Sequence, residues 1–204
     1  LGDNLHQGIV RVPVGIGNGQ NARTNLYWGA GYGVKTHFDR AAEWKRVPCD
    51  SATEPHILDR AVWRHRDSAV HVVAEAYDGR CIGKATEDLL TYASGRTART
   101  IKAGGISLNA GGGADLIAYA GHDGLLDFQL EETFTGPPTN TRQTIILACL
   151  SKRYFAEHLR TTGEMRPRKA GELRVGNFGE IRRGRHRARE RRRAEILPVV
   201  GRRE

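Results

Sequence analysis

Apolar residues fall in short runs divided by turn-forming clusters. Residues 70–77 (VHVVAEAY) are rich in β-branched side chains and end at Asp78-Gly79, which predicts a strand. Residues 115–120 (DLIAYA) follow Gly111-Gly112-Gly113 and stop at Gly121-His122-Asp123-Gly124. Residues 144–148 (TIILA) stop at Cys149. Neither of the last two runs alternates apolar with polar, the pattern expected of strands covered by helices on both faces, as in parallel α/β sheets. Helical spacing appears over residues 82–93, with Ala85, Leu89 and Leu90 on one face. A second helix is predicted after Cys149, capped by Ser151 and carrying Tyr154, Phe155 and Leu159.

Nearer the start, residues 8–14 form a short apolar stretch and residues 15–19 a glycine loop. Asn25 is placed to cap a helix through Leu26, Tyr27, Ala30, Val34 and Phe38, although three glycines lie within it. Residues 125–143 contain Pro137-Pro138 and link the last two strands, either beside the sheet or over a site. The alternation of strands and helices predicts an α/β domain over residues 1–162 with a mostly parallel sheet.

The chain has 204 residues and a formal net charge of +9. Residues 163–204 hold 14 Lys+Arg and 6 Asp+Glu, so they carry +8 and leave the preceding part nearly neutral. Residues 182–193 (RRGRHRARERRR) contain 8 arginines. This segment reads as a phosphate-binding arm for nucleic acid, as a disordered solvated tail, or as translation out of frame. No apolar run approaches the ~20 residues of a membrane span. Three widely spaced cysteines, Cys49, Cys81 and Cys149, oppose a disulfide framework or a CxxC zinc site. Their odd number suits a reducing cytoplasm, with any export signal before Leu1 left open.

One constellation carries chemistry. His122 and Cys149 end consecutive apolar strands. In a parallel sheet those ends share one edge, the edge at which open α/β folds bind ligands. A thiol nucleophile beside an imidazole acid/base is thereby expected. The start of a helix next to Cys149 favours the thiolate, and backbone N–H groups near Gly121 and Gly124 are suited to an oxyanion. The remaining histidines show no ligand spacing, and Cys49 and Cys81 read as structural thiols. The loop at 15–19 lacks both the Gly-Lys-Ser/Thr end of a P-loop and the GxGxxG order. Tyr27, Trp28, Tyr32 and Phe38 read as helix core.

LIAYAGHDG and IILACLS together resemble the His and Cys motifs of the caspase-like cysteine peptidases: caspases, metacaspases, gingipains, clostripain, legumain and separase. The resemblance implies a three-layer α/β sandwich with a mostly parallel sheet, here truncated at both ends. It implies a cysteine endopeptidase acting on a peptide or protein substrate, with Cys149 as nucleophile and His122 as general acid/base. The oxyanion would be held by backbone N–H groups of Cys149 and of Asp123, with Gly124 next. The family places Gly directly after His, where this chain has Asp123, and an anionic Asp123 opposes an oxyanion unless it points away. Asp3 and Asn4 would border the pocket for the residue before the scissile bond, with Asp3 favouring a basic one. No cofactor is required, although some relatives respond to calcium. The competing readings are an inactive peptidase-like binding domain and an Arg-rich nucleic-acid binder acting through residues 182–193.

Overall fold

The computed structural model describes residues 1–137 and 142–163. The sequence-predicted tail, including residues 182–193, lies outside them apart from Gly163.

Among the described residues, two of the three sheets are antiparallel, which corrects the expectation of a mostly parallel three-layer sandwich. The first joins β1 (Trp44–Val47), β2 (Ile57–His65) and β3 (His71–Tyr77) in that order. The second is a hairpin of β4 (Ala98–Ala103) and β5 (Ile106–Gly111). Of the described strands, only β6 (Leu116–Ala120) and β7 (Gln143–Leu147) run parallel. Connection length explains the difference. A parallel pair needs a crossover of a dozen or more residues, and the links from β2 to β3 and from β4 to β5 are far shorter. Gly104 and Gly105 make the second link, with φ of +57° and +80°, the positive values that a two-residue hairpin turn uses.

Among the described residues, three helices accompany the sheets: α1 (Val34–Arg40), α2 (Ile82–Ala93) and α3 (Ser151–Thr161). The helix expected from Leu26 is confined to its last part. Gly29 and Gly33 explain why, because a Cβ at either would lie 2.1–2.2 Å from the carbonyl oxygen of Arg23 or Trp28. These glycines serve close backbone approach in a chain of turns. The apolar stretch at 8–14 is not a strand, and Val10 and Val14 project into solvent.

Three apolar clusters hold these parts. Trp28, Ala61, Trp63 and Ala76 pack on one face of the β1–β2–β3 sheet, with Phe38 stacked on Trp63. Val62 turns to the other face and meets Ile101, Ala103 and Ala110 of the hairpin. The third cluster joins α2 and α3 to the parallel pair through Leu89, Leu90, Ile117, Ile146, Phe155 and Leu159. Leu116, Ala118 and Ala120 on the other side of β6 are exposed, so the expected cover on both faces is missing there.

Half-buried charge ties the first two sheets together. Arg60 and Arg99 both contact Glu54 and Glu75, at distances of 2.5–3.1 Å. Nearby indole nitrogens also donate to carboxylates, Trp28 to Asp59 and Trp63 to Asp39, each at 2.8 Å.

Candidate active site

The parallel ladder of β6 and β7 sets the site. Its register runs from Leu116 opposite Gln143 to Ala120 opposite Leu147. The Gly121 N–H donates to the Leu147 carbonyl at 3.3 Å, carrying the pairing one residue further. His122 and Cys149 each follow two positions after a paired residue. The sequence therefore placed both at the C-terminal edge of one parallel pair, as expected, although the sheet has only two strands.

His122 is buried, at 4% exposure. Its main-chain oxygen accepts from the Tyr119 hydroxyl at 2.7 Å. Its ring Nε2 lies 2.7 Å from Asp127 Oδ2. The same carboxylate oxygen accepts from the Gly8 N–H at 3.3 Å. Asp127 reaches back because residues 124–126 form a short 3₁₀ turn, with the Asp127 N–H donating to the Gly124 carbonyl at 2.9 Å. Asp123 caps this turn, its Oδ1 accepting from Leu125 N–H at 3.1 Å.

Cys149 is exposed, in a tight turn between β7 and α3. Leu150 holds a left-handed conformation with φ of 53°, and α3 starts directly afterwards. The predicted Ser151 cap is corrected here. Leu150 occupies the N-cap position and supplies no side-chain hydrogen bond, while Ser151 is buried in the first helical turn.

No hydrogen bond joins the Cys149 thiol to the His122 ring. Such contacts in unliganded sites often tighten only around substrate. Among the described residues, the main-chain amides of Asp123, Gly124 and Cys149 donate to no protein acceptor. Asp123 is fully buried, and its Oδ2 has no partner. Burial pushes this carboxyl up from 3.8 to about 6, with Asp127 adding to the rise and the Leu125 N–H and His122 opposing it. Its neutral form at mildly acidic pH removes the charge that would oppose an oxyanion.

Two tyrosines complete the surroundings. Burial raises the Tyr27 phenol, and Cys149 acts in the same direction. Tyr119 is raised by burial, then by Tyr27 and Asp123. The sequence pattern assigned Tyr27 to a helix core; it lies instead in the turns before α1, half-buried against Gly2. Asp127 also escaped the sequence reading. The one available sign was Asp123-Gly124, which marks a capped turn that folds residue 127 back towards His122.

Asp3 and Asn4 do not offer free polar groups for a substrate side chain. The Asp3 carboxylate is fully buried and accepts from Leu5 N–H at 2.8 Å, from the Gln20 amide, and from His6 Nδ1 at 3.0 Å. It lies against Gly19 and Gly79. Asn4 is occupied by Val12, donating to its carbonyl at 2.7 Å and accepting its N–H at 3.1 Å. The pocket assigned to Asp3 is therefore replaced by a structural one, in which Asp3 fastens the N-terminal loop.

Cys49 makes an isolated bridge to Ala103 and packs against the hairpin cluster, while Cys81 precedes α2. Among the described residues, no three His, Cys, Asp or Glu side chains group as a metal site. No described helix is long and apolar enough to cross a membrane. No protein-family model, curated protein or solved structure matches the chain.

Proposed function

We propose that the chain is a cysteine endopeptidase working through His122 and Cys149. The observation that carries this reading is the shared register: both residues leave the same edge of a parallel pair, two positions after Ala120 and Leu147. An exposed thiol at a helix start and a carboxylate-bound imidazole are the parts needed for acyl transfer. The likeness of LIAYAGHDG and IILACLS to caspase-like peptidases supports the same chemistry.

In this mechanism the Cys149 thiolate attacks the scissile carbonyl carbon, and the carbonyl oxygen takes the negative charge. Free amides at Asp123, Gly124 and Cys149 are the donors available to that oxygen. The carbon–nitrogen bond then breaks, and the leaving amine takes a proton from His122. Water attacks the resulting thioester, gives its proton to the imidazole, and displaces Cys149 as thiolate.

The test is hydrolysis of a mixed peptide library by the full chain, followed by mass spectrometry. Cleavage lost in Cys149→Ala supports the reading, and no cleavage by the wild type opposes it. Burial of His122 and the missing thiol–imidazole bond favour a second reading, a peptide-binding domain without turnover. In that case peptides are retained by wild type and Cys149→Ala alike, and none is cut.

A further inference from the structure

The geometry points to Asp127 as the positioning residue of the site, holding the His122 ring so that Nδ1 is the nitrogen presented to Cys149 and substrate. This rests on the peptidase reading and adds a third member to it. Asp127 Oδ2 lies 2.7 Å from His122 Nε2, so a neutral imidazole bonded there carries its proton on Nε2. Nδ1 has no hydrogen bond to any described residue, so it is the uncommitted nitrogen of the ring. The ring thus has one nitrogen committed and one available, the arrangement an acid/base needs.

The carboxylate is itself held. The Gly8 N–H donates to Oδ2 at 3.3 Å, and a Cβ at residue 8 would stand 2.5 Å from Asp127 Oδ1. Glycine at this position lets the N-terminal loop close on the carboxylate. The Asp127 main chain is fixed by the 3₁₀ turn. A carboxylate anchored from two sides defines both the tautomer and the tilt of the ring. Asp127 touches neither thiol nor substrate in this role and acts only through His122.

Two measurements test the assignment. The first is the ¹⁵N spectrum of histidine-labelled wild type at alkaline pH, with His122→Ala used to assign the signal. A neutral His122 protonated on Nε2 is expected, and a ring protonated on Nδ1 overturns the proposal without any Asp127 variant having to fold. The second is the rate of alkylation of each cysteine by iodoacetamide, read by peptide mass spectrometry. Cys149 is expected to react faster than Cys49 and Cys81. Asp127→Ala should slow it about tenfold, His122→Ala at least as much, and Asp127→Glu should restore most of the rate. Circular dichroism checks that each variant is folded. If His122→Ala slows Cys149 and Asp127→Ala does not, the positioning role is wrong and the dyad survives. If Cys149 reacts no faster than the other thiols and ignores His122, the peptidase reading fails, while the tautomer still decides whether Asp127 orients the ring.

Discussion

Ala120 lies directly across from Leu147 as the last paired residue of the parallel ladder, and this pairing places His122 and Cys149 at one edge. A slip of one residue in that register would turn Ile146 away from Phe155 and Leu159, the apolar cluster it now fills. The core therefore fixes the position of the chemistry. Catalytic geometry and packing on α3 are set by the same few residues of β7.

Leu150 tests the turn that presents the thiol. Its φ of 53° is costly for a side chain with a Cβ, and glycine takes that conformation freely. Leu150→Gly is expected to raise stability by about 1 kcal/mol in urea denaturation, since the side chain is about half exposed and loses little packing. Equal or lower stability would mean that the residue is not strained. Iodoacetamide reactivity of Cys149 should fall in the same variant if the stiff turn aims the sulfur.

Asp123 gives stability a specific pH dependence. Its folded-state value of about 6 lies above the ordinary 3.8, so the folded chain binds the extra proton between those values. A raised carboxyl destabilises the fold as pH rises through that window. Asp123→Asn should remove this loss, gaining on wild type by up to about 3 kcal/mol between pH 4 and pH 7. Urea midpoints of both proteins across that range measure it. A constant difference at every pH would show that the carboxyl ionises normally.

Glu75 sits between two guanidinium groups, Arg60 and Arg99, with a side chain only 10% exposed. Removing it leaves both cations poorly paired. Glu75→Ala is expected to cost about 3 kcal/mol in urea denaturation. Glu54→Ala should cost about 1 kcal/mol or less, because Glu54 is more exposed and leaves Glu75 in place. Equal losses would show that the network does not centre on Glu75.

Much of the site was legible because it depends on local signals. Apolar runs that stop at His122 and Cys149 mark strand ends whatever the rest of the sheet does. Residues 71–77 and 82–93 were legible for the same reason, since β-branching and helical spacing act locally. The sheet topology was not. Strand β2 reads ILDRAVWRH, and its charged residues break the apolar pattern, because Arg60 meets Glu75 and Trp63 meets Asp39 only once the fold has formed. Those partners are distant in sequence. Asp127 was hidden similarly, as a carboxylate that gains meaning only when the 3₁₀ turn closes.

The most direct test of the paired thiol and imidazole is covalent labelling of the full chain by peptidyl acyloxymethyl ketones, varied in the residue next to the warhead. Intact mass should rise by one equivalent, mapped to Cys149, and fall to background in both Cys149→Ala and His122→Ala while Cys49→Ala labels normally. Labelling spread over Cys49 and Cys81, or unchanged by loss of His122, would contradict the account.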